Sequence, residues 1–94
     1  MQQLYMITYR LREDLGEDDL RNLTKKFTEV GNAPGVIAHY VRLDGTGGFL
    51  LQHGQEDPEA SYENILRYQP WVHAKAIAVT TVEDAFPVVQ RVYG

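Results

Sequence analysis

Ninety-four residues, no cysteine and a formal net charge of −4 make a small acidic chain, one domain in length. The missing cysteine excludes disulfides, thiol catalysis and cysteine-ligated metals. The negative balance argues against a nucleic-acid partner, because phosphate binding needs a concentrated positive face.

Hydrophobic content of 44% and charged content of 23% are ordinary for a soluble globular protein. The opening MQQLYMITYRLRED turns charged by Arg10 and lacks the apolar region of a signal peptide. No apolar run approaches the roughly 20 residues that span a bilayer. The reading is a cytoplasmic protein with no membrane partner.

Leu4 to Leu11 alternates two sets, Leu4/Met6/Thr8/Arg10 and Tyr5/Ile7/Tyr9/Leu11, and suits a strand with apolar residues on both faces. Gly16 then precedes Glu17, Asp18 and Asp19, acidic residues suited to the positive end of a helix. With Glu13 and Asp14 they form a solvated helix start or, in a competing reading, an acidic docking patch. Leu20, Leu23, Phe27 and Val30 make one apolar stripe. Gly31 is placed to end the helix in left-handed geometry, so the helix is predicted over 17–30.

Asn32 to Gly35 reads as a turn and Val36 to Leu43 as the second strand, with Val36/Ala38/Tyr40 opposing Ile37/His39/Val41. Asp44-Gly45 opens a hairpin, Gly47-Gly48 closes it, and a third strand runs from Phe49 to about His53. Asp57 is the predicted cap of the next helix, with Pro58 at its first position. The angle count puts Tyr62, Ile65, Leu66 and Gln69 on its inner side and Glu63, Asn64 and Arg67 outside. Pro70 ends it, and Ala74 to Thr80 is a fourth strand. Thr81 caps a last helical segment, which Pro87 is expected to break into two short pieces.

The order is β-α-β-β-α-β with a short C-terminal helix, the ferredoxin-like split βαβ pattern over residues 1–94 as one α+β domain. Both helices are expected on one face of a four-stranded antiparallel sheet. A sheet with one wet face shows clean apolar-polar alternation, and these strands do not. Ile77 and Val79 oppose Ala74, Ala76 and Ala78. The expectation is a homodimer through the sheet face opposite the helices.

That order, with two-faced strands in a chain of this size, resembles the dimeric α/β-barrel superfamily. The superfamily includes cofactor-independent monooxygenases of antibiotic biosynthesis, polyketide cyclases, muconolactone isomerases, haem-degrading enzymes and stress-responsive barrel proteins. The wording APGVIAHYVRLDGTGGF, then DPEASYENILRYQPW, then TTVEDAFP, is similar to a small family of bacterial and phage proteins of unknown function. The resemblance covers nearly the whole chain. It implies a pocket inside each subunit, between the sheet and its two helices.

His39 sits on an apolar strand face. It is a packed histidine or, if it lines the pocket, the best general base in the chain. Tyr62 is either a core aromatic or a phenol that hydrogen-bonds a substrate. These two are the candidate catalytic residues. Tyr9, Phe27, His53, Tyr68 and Trp71 are the candidate ligand contacts, with Trp71 also readable as a plug after Pro70. No metal and no cofactor are expected, since His39, His53 and His73 lack ligand spacing and Gly45 to Gly48 lacks a phosphate-loop pattern.

Two functions stand level. One is a small enzyme acting on a flat, largely apolar or aromatic molecule as a cofactor-independent monooxygenase, cyclase or isomerase. The other is a non-catalytic dimeric binding or stress-response module in which the same residues are packing. A third reading makes the acidic helix start a regulatory docking surface.

Overall fold

The computed structural model describes residues 3–54 and 58–94. Strand β1 (Leu4–Leu11), helix α1 (Glu17–Val30), strands β2 (Val36–Val41) and β3 (Gly47–His53), helix α2 (Pro58–Tyr68), strand β4 (Val72–Val79) and helix α3 (Val82–Tyr93) follow in chain order. Among the described residues the strands form one antiparallel sheet in the order β2-β3-β1-β4. This is the ferredoxin-like α+β arrangement expected from the pattern.

Register sorts the side chains into two faces, because paired residues of antiparallel strands point the same way. Tyr5, Ile7 and Tyr9 stand with Gln52, Leu50 and Gly48 on one side and with Ala78, Ala76 and Ala74 on the other. Phe27 of α1 lies against His39, so this is the helix-covered face. Met6, Thr8 and Arg10 stand with Leu51, Phe49, Ile77 and Lys75 on the opposite, open face.

Helix α1 has the expected bounds. Gly16 cannot cap with a side chain, but Asp19 Oδ2 accepts its N–H at 2.9 Å. Arg21 binds Glu17 at 2.6 Å and Asp18 at 3.3 Å across the acidic start. Gly31 ends the helix at φ 72°, ψ −160°. Its φ is positive as expected, but its ψ is extended rather than left-handed helical. That conformation still requires glycine.

Strand β2 is two residues shorter than predicted because Arg42 to Thr46 are taken by the turn. The Asp44 carboxylate accepts from the Thr46 hydroxyl and the Arg42 guanidinium, both at 2.6 Å, and from the Thr46 N–H at 3.1 Å. The β2–β3 register also shifts between Val36 and Ala38. The extra residue places Val36 on the side of His39 instead of the side of Ala38. Strand β3 begins earlier than predicted, at Gly47.

The predicted cap Asp57 lies outside the described residues. Among the described side chains of α2 the half-buried ones are Asn64 and Tyr68, one turn apart. Tyr62, Ile65 and Leu66 are 63%, 54% and 44% exposed, so the inner side assigned by the angle count is corrected. The helix is anchored at its C-terminal end, where the Tyr68 hydroxyl donates to the Gly31 carbonyl at 3.1 Å and Arg12 Nε donates to the Gln69 carbonyl at 3.0 Å. These bonds set its rotation, which apolar spacing alone does not report.

Pro87 does not divide the last helix. Helix α3 runs unbroken through it, with the Thr81 hydroxyl accepting from Asp84 N–H at 3.1 Å. A proline this close to the start forfeits a single intrahelical bond, and the cap offsets part of that loss. Except for Ala85, every residue of α3 is exposed. No apolar side chain is fully buried among the described residues.

Candidate functional site

Three side chains from different parts of the chain meet on the helix-covered face. The Tyr9 hydroxyl donates to His39 Nε2 at 2.6 Å. On the other edge of the imidazole, His39 Nδ1–H donates to Asn32 Oδ1 at 2.9 Å. Asn32 follows the end of α1, His39 lies in β2 and Tyr9 in β1. The amide oxygen has no proton to give, so it fixes the tautomer that leaves the Nε2 lone pair facing the phenol.

The pair is made possible by Gly48. Strand β3 lies between β1 and β2, and Gly48 pairs with Tyr9 on one side and Val41 on the other. A Cβ at Gly48 would stand 2.5 Å from Tyr9 Oη and 2.7 Å from its Cζ. The ring therefore passes over the glycine to reach the far strand. Glycine within a strand marks such close approaches.

Burial acts on both ends of the bond. It lowers the His39 pKa below its ordinary value and raises that of Tyr9. Each shift favours the neutral form. Near neutrality the imidazole is therefore an available base and the phenol a donor.

Aromatic rings close the cluster. Phe27 meets His39 edge-on at 5.9 Å between centroids, and Tyr9 meets it at 5.6 Å. Tyr68 lies 6.5 Å from Phe27, and its own pKa is raised by burial. An open cleft of about 220 Å³ lies toward the end of β1, lined by Leu11, Leu20, Gly45 and Thr46 among others.

Four of the expected residues, His39, Tyr9, Phe27 and Tyr68, are thus brought together. Tyr62 is exposed, and its hydroxyl makes no hydrogen bond with a described residue. His53 lies on the open face opposite Leu4, away from the cluster. Trp71 is half-buried at the helix-to-strand connection, its N–H donating to the Tyr68 carbonyl at 3.0 Å and its carbonyl accepting from Arg12 N–H at 2.9 Å. Sequence reasoning passed over Asn32 and Gly48, because both lie in stretches rich in turn residues. Among the described residues no three His, Asp or Glu side chains are grouped as a metal site would need. No helix among them is long and apolar enough to cross a membrane.

The sheet, helices and polar cluster define a small ferredoxin-like α+β protein with a histidine-centred hydrogen-bond relay. Over residues 3–93 the chain belongs to the family described as Domain of unknown function (DUF3303). No curated protein matches it.

Proposed function

We propose that this chain is a cytoplasmic, homodimeric small-molecule-binding protein whose Tyr9–His39–Asn32 relay moves a proton on a flat, largely apolar ligand. The observation that carries this reading is the pair of bonds on His39, 2.6 Å to Tyr9 and 2.9 Å to Asn32. His39 Nε2 is the proton acceptor. Tyr9 is the donor beside it, the role expected of Tyr62 from sequence. Asn32 touches no ligand and acts by holding the imidazole.

A ligand hydroxyl, or a carbon acid beside a carbonyl, would give its proton to Nε2 either directly or through the Tyr9 oxygen. In the second route Tyr9 passes its own proton to Nε2 as it takes the ligand's. Isomerisation, cyclisation and cofactor-independent oxygenation all begin with such a removal. Phe27 and Tyr68 offer apolar ring surface to a flat molecule.

The second reading is a non-catalytic binding module. It is favoured by Phe27, whose ring stands against both His39 and Tyr68, as in a cluster of packed aromatic side chains.

Mass spectrometry of small molecules that co-purify with the native protein separates the two. A defined ligand, turned over by the wild type but retained unchanged by His39→Ala and Tyr9→Phe, supports the relay as a catalytic site. A ligand that both variants bind and leave unaltered, as the wild type does, supports the module.

A further inference from the structure

Where β1 runs out into the turn after Leu11, two arginines stand without a carboxylate. Other arginines of the chain are paired. Arg21 and Arg42 each bind a carboxylate at 2.6 Å, and Arg67 binds Glu63 at 3.3 Å. Arg10 and Arg12 make no ion pair with a described residue. The chain has 13 acidic side chains against 9 lysines and arginines, so the gap does not come from a shortage of acids.

Arg12 is held in place by neutral groups. Its backbone N–H donates to the Trp71 carbonyl at 2.9 Å. Its Nε donates to the Gln69 carbonyl and its Nη1 to His73 Nε2, both at 3.0 Å. A guanidinium has no lone pair to offer, so His73 accepts this bond and carries its ring proton on Nδ1. Nη2 of Arg12 has no partner among the described residues. Arg12 is half-buried, and its charge is thus fixed in place, partly desolvated and uncompensated. Arg10 pairs across the ladder with His73, which puts both side chains on one face of the sheet. Arg10, Leu11, Arg12, Glu13, Asp14 and His73 line an open cleft of about 490 Å³, room for a small molecule. Lys75 stands two residues further along β4 on that face and adds to the positive potential.

We propose that this cleft binds the carboxylate of a small molecule, with Arg12 as the fixed anchor and Arg10 as the second cation. Arg12 is already immobilised, so little side-chain freedom is lost when the anion arrives. A carboxylate matches the planar guanidinium fork. Glu13 and Asp14 also line the cleft, outside ion-pair distance of either arginine. Their charges oppose a second negative charge on the ligand, which disfavours a doubly charged phosphate more than a carboxylate. Arg10 alternates with Tyr9 along β1 and points to the other face. The site is therefore separate from the relay and does not rest on it.

Benzoate is the probe, titrated into the 94-residue chain and followed by NMR of the arginine side chains and the His73 ring. Wild type is expected to show saturable shifts at Arg12 Nε–H and at His73. Arg10→Gln breaks no hydrogen bond or ion pair of its side chain with a described residue. It is expected to fold as wild type does and to bind at least about tenfold more weakly. Arg12→Lys keeps the charge but loses the fork, and is expected to weaken binding by a similar factor. Circular dichroism shows whether that variant folds; if it does not, Arg10→Gln decides. Lys25→Gln, on α1, changes the net charge as much as Arg10→Gln and is expected to bind benzoate as wild type does. Inorganic phosphate is expected to bind wild type more weakly than benzoate, and to gain on it in Glu13→Gln/Asp14→Asn. Absence of a saturable shift with benzoate overturns the site. Equal weakening by Arg10→Gln and Lys25→Gln also overturns it, because it marks general charge attraction. Phosphate bound by wild type as tightly as benzoate overturns the carboxylate class. None of these results bears on the relay.

Discussion

The Tyr9 hydroxyl meets His39 across a strand that belongs to neither residue. Tyr9 is in β1 and His39 in β2, with β3 between them, and the bond of 2.6 Å passes over Gly48. The candidate site thus depends on an absent side chain as much as on the three that are present.

Gly48→Ala is expected to break the pair. The new Cβ would overlap the Tyr9 phenol and the Tyr40 carbonyl oxygen, and the second of these is backbone that cannot step aside. Overpacking of this kind costs about 1–3 kcal/mol. Urea denaturation measures that cost, and loss of the Tyr9–His39 bond is expected to appear as a shift of the His39 ring signals.

Asn32 controls the imidazole from its outer edge. Asn32→Asp would set a carboxylate against Nδ1–H, and an opposite charge at that distance favours the imidazolium. The His39 pKa is then expected to rise relative to wild type, and the ligand chemistry to need a higher pH. Asn32→Ala is expected to leave the fold intact while releasing the tautomer. Proton NMR titration of the histidine ring reads both effects.

Stability is expected to vary with pH in three separate windows. The folded pKa of His39 is depressed, so the unfolded chain takes up that proton first. Its contribution is present above the unfolded value of about 6.5 and declines as pH falls below it. For Tyr9 the folded pKa is raised. The unfolded chain ionises first, and stability declines as pH rises past about 10. The hydroxyl of Thr46 first, and then Arg42 and the Thr46 N–H, hold Asp44 down at about 2. Its contribution to the hairpin is present above the usual carboxylate range and is lost as pH falls toward that value. Urea denaturation from pH 2 to 10.5 follows all three. His39→Gln should remove the decline that begins below about 6.5, and Asp44→Asn should make the acid limb shallower.

Pro87 is expected to restrain α3. Pro87→Ala returns an intrahelical N–H and removes the steric conflict with the preceding turn. A gain of about 1–3 kcal/mol in helix stability is expected. Far-UV circular dichroism checks it through helicity, with a higher thermal midpoint alongside.

Residues whose roles are local were the legible ones. The alternation of β1 and the stripe and glycine stop of α1 reproduce the bounds of both elements. The order of elements follows from the same signals. The side of α2 that faces inward was not legible. Tyr68 and Gln69 bind groups 37 and 57 residues away, and those bonds decide the rotation. His39 could be picked out as a buried-type histidine with base character. Its two partners could not, because Asn32 has the composition of a turn and Gly48 that of a hairpin closure. The register shift beside Ile37 has no distinct signal in a run of strand-forming residues. Helix α3 was misjudged at Pro87 because the breaking tendency of proline was set against no knowledge of how well Thr81 caps.

The protonation of His39 tests the relay most directly. Nitrogen-15 NMR of the imidazole at pH 7.5 is expected to show a neutral ring protonated at Nδ1 with Nε2 bare, and a pKa below about 6.5. Tyr9→Phe is expected to move the Nε2 resonance, and Asn32→Ala to populate the other tautomer. A ring protonated at Nε2, or one that titrates at an ordinary value and is indifferent to both substitutions, would contradict the relay.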